Sequence, residues 1–166
     1  MRNAVVLLPL AAALSGCMTM SRSATVAPMS AAQANDGRIA EIVLTRDPGL
    51  KVTPEFDGIF RQHVQAKLDG CFKGSRPLKL EASIDRLDKA NPVMTAVIGG
   101  ANVLRGAARL VDPATGQAVA DYKVGATIVG GRIGVVKMAE AEEQLSDSFG
   151  DELCKQAFPK PGDGAK

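Results

Sequence analysis

Aromatic side chains are scarce in this chain of 166 residues, which has no tryptophan, one tyrosine and five phenylalanines. Proteins that hold sugars or nucleobases often stack them on aromatic rings, so a surface of that kind is not expected. The charges are nearly balanced, with 20 Lys and Arg against 18 Asp and Glu. Because nucleic-acid binding depends on a basic face, the sequence predicts no nucleic-acid partner.

Residues suited to catalysis or metal binding are equally few. His63 is the only histidine and lies beside the apolar stripe of a predicted helix, where a structural role is expected. A multi-histidine metal site is therefore excluded, and the cysteines lack C-x-x-C spacing. The carboxylates of Glu81, Asp85, Glu140 and Glu143 fall on solvated faces, without the enclosed pocket that general acid–base chemistry needs. We therefore expect no enzyme, no cofactor and no metal.

The N-terminal apolar run is too short to cross a membrane, since a spanning helix needs about 20 residues. It has eleven residues, at positions 4–14, and it follows Arg2 and precedes Ser15 and Gly16. A basic residue, a short apolar segment and small residues in that order are typical of a cleaved signal peptide. An ordinary secretory signal, cut further along the chain, is the alternative to a lipoprotein signal.

The residues Leu14-Ser15-Gly16-Cys17 resemble the lipobox of bacterial lipoproteins. The resemblance implies cleavage before Cys17, a diacylglyceryl group on its thiol and an acyl chain such as palmitate on its new amine. Because each buried methylene contributes about 0.8 kcal/mol, several chains would anchor the protein to the membrane permanently. Position 18 is Met rather than Asp, which in this family favours the outer membrane over the inner membrane. The expected location is the cell envelope, on the periplasmic side of the outer membrane.

Composition divides the chain into four parts. Residues 1–16 form the signal peptide, residues 17–37 a lipidated flexible tether, residues 38–158 a single folded domain, and residues 159–166 a disordered tail rich in proline and glycine. About twenty small and polar tether residues would span roughly 25 Å as a random coil. We therefore expect a domain that stands off the membrane.

Hydrophobic periodicity in the domain predicts four strands and two helices. The strands are expected at 38–46, 78–87, 102–112 and 120–128, and the helices from Thr53-Pro54 to about 71 and from about 135 to 158. The strands alternate between apolar and polar side chains. A turn at 112–116, with Pro and Gly at its bends, joins the last two strands into a hairpin.

The order β-α-β-β-β-α predicts an α+β two-layer sandwich, in which a four-stranded mixed sheet carries both helices on one face. A right-handed β-α-β crossover makes the first two strands parallel. The loops at 47–53, 89–101 and 129–134 would then gather at one end of the sheet. The 112–116 turn and the C-termini of both helices would gather at the other end.

The hairpin segment Arg109-Leu110-Val111-Asp112-Pro113-Ala114-Thr115-Gly116, the pair Gly130-Gly131 and the lipobox together resemble a group of small bacterial lipoproteins of unknown function. The resemblance covers residues 38–158. It implies a fold related to the α/β domain of curli-secretion-type lipoproteins and other periplasmic assembly factors. It implies no catalytic residues.

Two cysteines remain once Cys17 is acylated, and an oxidising compartment permits them to pair. Cys71 and Cys154 each lie near the C-terminus of a predicted helix, and the two helices run the same way. Cys71 is central on the apolar face of its helix, whereas Cys154 lies to the side of its own. A disulfide and two separate, partly buried thiols both fit the sequence.

The segment 92–101 is apolar, although it occupies a connection between strands. Exposed apolar surface often marks a partner contact, so Val93, Met94, Val97 and Ile98 are candidate residues for binding an envelope protein complex or a second copy of the chain. The alternative is that they extend strands or fold over the core. Two functions fit the whole sequence: a non-catalytic interaction or assembly module, and a ligand-binding accessory lipoprotein of an envelope transport system with a pocket between sheet and helices.

Overall fold

The computed structural model describes residues 18–91, 99–130 and 140–160. In these residues the elements are β1 Met18–Ser21, β2 Ala24–Ala27, α1 Ala31–Asp36, β3 Gly37–Arg46, α2 Phe56–Cys71, β4 Arg76–Asp88, β5 Gly100–Val111, β6 Ala118–Gly130 and α3 Ala141–Ala157. The predicted mixed α+β class is confirmed. The start of the second predicted helix, at 135–139, and the last six residues of the predicted tail lie outside the described residues.

The six strands form one sheet in the order β1-β6-β5-β4-β3, and β2 also pairs with β6. β3 and β4 are parallel, as the predicted crossover through α2 requires, and β5 and β6 form the predicted hairpin. The prediction of a four-stranded sheet with two helices is wrong. β1 and β2 together add an edge to β6, interrupted at Arg22 and Ser23, and α1 is a third helix.

Both long helices pack on the same face of the sheet, as predicted. Phe60 of α2 and Phe149 of α3 meet edge to face, with ring centroids 5.1 Å apart, and Phe56 lies 5.9 Å from Phe60. All three rings are fully buried. Beneath them lie the inward side chains of the strands, which include Leu78, Leu80, Ile84, Leu104, Leu110, Tyr122 and Val124. The layer between the sheet and the helices is therefore filled with side chains.

The other face of the sheet, which we call the open face, is not covered by any described helix. Outward positions of β4, β5 and β6 carry the polar and charged side chains that alternate with the core residues, among them Lys79, Arg105, Arg109 and Lys123. This alternation is typical of a sheet with one dry and one wet face.

Cys71 and Cys154 form a disulfide, with Cα atoms 6.0 Å apart. Cys71 is the last residue of α2, and Cys154 lies in the last turn of α3, four residues before its C-cap residue Phe158. The helices also approach closely one turn earlier, where a Cβ added to Gly150 would lie 2.6 Å from the Cβ of Lys67. The disulfide therefore joins two helix ends that are already packed together.

The turn between β5 and β6 accounts for the hairpin motif of the sequence. The amide of Ala114 donates to the Asp112 carboxylate at 2.9 Å, Gly116 has a positive φ of 70°, and Arg76 donates to the same carboxylate. The Arg76 guanidinium and the Ala114 amide hold the pKa of Asp112 below its ordinary value. The motif is thus a structural turn.

The ends of the sheet are arranged as predicted. We call one end the loop end. β3, β4 and β6 finish there, at Arg46, Asp88 and Gly130, and β1 and β5 begin there, at Met18 and Gly100. The opposite end contains the 112–116 turn and the disulfide.

Candidate functional site

Five of the predicted site residues lie outside the described residues: Cys17, Val93, Met94, Val97 and Ile98. The nearest strand residues along the chain are described. β1 begins at Met18, β4 ends at Asp88 and β5 begins at Gly100. These three strand ends all lie at the loop end of the sheet.

Residues 18–37 do not form the predicted flexible tether. β1 pairs antiparallel with β6, which puts Met18 opposite Val129 and Ser21 opposite Ala126. β2 continues along the same edge. α1 follows, with Ser30 and Gln33 forming a reciprocal capping box, and it leads directly into β3. Met18, the residue that follows Cys17, is thus already part of the sheet.

The sequence contained a weak signal for this edge. Met18 and Met20 alternate with Thr19 and Ser21, which is the spacing of a strand, but four residues are too few to distinguish such a strand from a loop. All four residues are exposed. An edge strand that buries nothing gives little hydrophobic pattern to detect.

Glu152 on α3 fastens the edge strand to the helix layer. Its buried carboxylate accepts hydrogen bonds from the Ser21 hydroxyl and from Lys155 Nζ, the latter at 2.6 Å. Burial raises the pKa of Glu152, but the bonds from Lys155 and Ser21 lower it more, and the net pKa lies below its ordinary value. A second bond joins Thr25 to Gln156 at 3.3 Å. The edge strand is therefore held both by β6 and by α3.

Glu142 performs a similar role at the loop end. It lies buried in the first turn of α3 and accepts from the Thr53 amide at 2.9 Å, the Thr53 hydroxyl at 2.6 Å and Lys89 Nζ at 2.7 Å. Burial raises the pKa of Glu142, and the bonds from Lys89 and Thr53 lower it further than burial raises it. The network holds the segment before α2 and the segment after β4 against α3.

Exposed apolar side chains lie at the loop end of the open face. Met18, Met20 and Val129 are 66%, 48% and 40% exposed. Met18 lies opposite Val129 and Met20 opposite Thr127, and opposite residues of an antiparallel pair point to the same face. We call these three side chains the apolar strip. It begins one residue after Cys17.

The polar residues considered for catalysis occupy simple surface positions. His63 contacts Asp147 through Nδ1 at 3.1 Å, between α2 and α3, and both side chains are partly exposed. Glu140 and Glu143 are exposed at the start of α3. Across residues 18–91, 99–130 and 140–160, no group of three His, Cys, Asp or Glu side chains could hold a metal ion. No helix in the same ranges is both long and apolar enough to span a bilayer.

Clefts of the described chain open on the surface. One of about 590 Å³ lies at the loop end between residues 47–51 and 85–89. Another of about 300 Å³ lies between α1 and the end of α3, near Met29 and Phe158. The first has a mixture of acidic and basic side chains around it. The space that a ligand would need between sheet and helices is occupied by the buried rings of Phe56, Phe60 and Phe149.

No model of a known protein family matches the chain, and no curated protein matches it. Among solved structures, the chain is similar to the PelC dodecamer from Paraburkholderia phytofirmans, with 15% identity, coverage of 80% of this chain and 98% of that one, and a TM-score of 0.46. A point variant of that dodecamer gives 14% identity, coverage of 85% and 99%, and a TM-score of 0.41. A Xanthomonas campestris protein of family DUF330 gives 14% identity, coverage of 79% and 90%, and a TM-score of 0.41.

Proposed function

We propose that this chain is a lipoprotein of the bacterial cell envelope, acylated at Cys17 and facing the periplasm from the outer membrane, and that it serves as a non-catalytic interaction or assembly module. The observation that carries the proposal is the pairing of Met18, the residue after Cys17, with Val129 of β6. A lipobox cysteine directly before a paired edge strand connects the proposed anchor to the fold without a spacer.

The edge strand supports a close association with the membrane. Its first four residues pair with residues 126–129 of β6, and Ser21 is bonded to the buried Glu152. With this attachment the loop end would be held beside the lipid, whereas a free tether would let the domain range over tens of ångströms. The Cys71–Cys154 disulfide agrees with an oxidising compartment such as the periplasm.

The partner surface in this proposal is the connection between β4 and β5. Its apolar residues Val93, Met94, Val97 and Ile98 are joined to strand ends at the loop end, the end that carries Met18. A partner bound there, either an envelope complex or a second copy of the chain, would meet the domain at the level of the membrane. The filled interior favours this module over a ligand-binding accessory protein, which needs an apolar pocket.

Metabolic labelling with palmitate tests the anchor. The wild-type chain should take up the label and sediment with membranes. A Cys17→Ala variant should lose the label, and any processed product should appear in the soluble periplasmic fraction. A Cys154→Ala variant is the control, since it lacks a different cysteine and should still be labelled. An unlabelled wild-type protein would contradict the proposal.

Photo-crosslinking in cells tests the partner surface. A photoreactive residue at position 98 should give a specific adduct that mass spectrometry can identify. The matched control is position 115, in the exposed turn at the opposite end of the sheet, which should give none. Ile98→Asp should abolish the complex seen from other loop-end positions. Equal adducts from positions 98 and 115, or an intact complex in Ile98→Asp, would refute this role.

A further inference from the structure

Several charges of the open face are paired, and three cations that are not paired lie together. Ion pairs join Arg109 to Asp121 at 3.1 Å, Arg86 to Asp88 at 2.6 Å and Lys79 to Glu81 at 2.7 Å. Arg22, Arg105 and Lys123 take part in no ion pair with a described residue. All three are exposed. Arg38 is also unpaired among the described residues, but it lies on β3 at the other edge of the sheet.

These three cations line one groove of about 430 Å³ that crosses the edge strand, β6 and β5. Arg22 lies in the break between β1 and β2, where its amide donates to the carbonyl of Gly125 at 2.8 Å. Arg105 lies opposite Gly125 in the β5–β6 register. Asp85 is the acid among the lining residues, so three positive charges face one negative charge.

Part of the floor of the groove is backbone at Gly125. A Cβ on Gly125 would point to the open face and lie 2.9 Å from the carbonyl oxygen of Arg22. A side chain is therefore excluded at Gly125 by the close approach of the edge strand. Gly106 also lines the groove through its backbone, but it lies opposite the buried Ile84 and Val124, so the position of its missing side chain faces the core. The cations stand around a shallow, bare floor on which a small anionic group can rest.

We propose that this groove binds the phosphate of an anionic phospholipid headgroup. Arginine and lysine are the residues that proteins use for phosphate, through charge-assisted hydrogen bonds. Met20 lies two residues before Arg22 on the same edge, about 7 Å away, and it belongs to the apolar strip. Cations beside apolar side chains match the two chemical parts of a lipid at a membrane surface.

The inference rests on the proposed function in one respect. Acylation at Cys17 would keep the groove within a few residues of a bilayer, where headgroups are abundant. Binding itself depends on Arg22, Arg105 and Lys123, so it can be measured whether or not the chain is acylated. Mass spectrometry of Cys17 on the same preparation reports acylation separately, and the failure of either idea is thus distinguishable from the failure of the other.

Titration calorimetry of the full mature chain tests the ligand, with dihexanoyl phosphatidylglycerol, dihexanoyl phosphatidylcholine and inorganic phosphate as probes below micellar concentrations. The phosphatidylglycerol should bind saturably and weaken with added salt. Phosphatidylcholine and inorganic phosphate should each bind at least about tenfold less tightly. Phosphatidylcholine carries a cation that neutralises its phosphate, and inorganic phosphate has no apolar part. Phosphate that binds as tightly as phosphatidylglycerol would overturn the assignment to a lipid, and equal binding of both lipids would overturn the role of the cations.

Two arginines of β5 provide a matched pair of variants. Arg105→Ala should weaken phosphatidylglycerol binding by about tenfold or more, the usual effect of losing a hydrogen bond to a charged group. Arg109→Ala, four residues along the strand and paired with Asp121, should change it by less than about twofold. Met20→Ser should weaken lipid binding and leave phosphate binding unchanged. Equal losses in Arg105→Ala and Arg109→Ala would show a diffuse charge effect and refute the site.

Discussion

Removal of the Cys71–Cys154 bond should lower the free energy of unfolding by about 4 kcal/mol. The bond closes a sequence separation of 83 residues that includes β4, β5 and β6. The chain-entropy relation gives about 4.5 kcal/mol for a loop of this size, and measured disulfides typically contribute about 2 to 4 kcal/mol. The double variant Cys71→Ala, Cys154→Ala removes the bond without leaving a free thiol, and both positions are only partly buried, so the cost of lost packing is small.

Urea unfolding followed by circular dichroism measures this loss. The double variant should unfold at a lower urea concentration, and the wild-type chain in reductant should match it. The m-value should rise, because an unfolded chain without the crosslink exposes more surface. Cys17→Ala serves as the control and should leave the midpoint unchanged. Coinciding midpoints for wild type and double variant would refute the reasoning, and the Phe72–Phe158 ring contact at 5.0 Å would then be enough to hold the helix ends.

Other predictions concern packing and pH. Gly150→Ala should destabilise the fold by about 1 to 3 kcal/mol in thermal unfolding, because its Cβ would press on the Cβ of Lys67 at 2.6 Å. Gly58→Ala, on α2 with open space around it, should instead stabilise by about 0.5 to 1 kcal/mol. In the folded chain the pKa values of Glu142 and Glu152 lie below the ordinary value for glutamate. The two carboxylates therefore contribute fully to the free energy of unfolding above about pH 4.3, and this contribution is lost as the pH falls further. Acid titrations should therefore show a shallower loss of stability in Glu142→Gln, and an unchanged acid profile would contradict the assigned network.

Periodicity in the sequence was sufficient for the central part of the fold. Over most of β4, β5 and β6 the alternation has a period of two, because one face of the sheet is buried against helices, and that period fixes which side chains point inward. Irregularities break it between Ile84 and Arg86 and between Leu110 and Val111. The turn at Asp112 and Gly116 was equally readable, since a positive φ selects glycine. The parallel pairing of β3 and β4 followed from the helical crossover that connects them.

The edge of the sheet could not be predicted in the same way. β1 and β2 expose their side chains, so they are held by backbone pairing and by polar contacts such as Ser21 to Glu152, which leave no hydrophobic pattern. The same limit applies to the groove. Arg22 and Arg105 are more than eighty residues apart in the chain, and their proximity follows only from the pairing of the edge strand with β6.

On the proposed anchoring at Cys17, the pairing of Met18 with β6 gives the domain a defined reach. β6 contains 13 residues, and at about 3.4 Å per residue it is about 44 Å long. On the proposed anchoring, the disulfide end can stand no further than about that distance from the acyl chains. A component fixed to the opposite membrane could touch this domain only by crossing the rest of the periplasm itself.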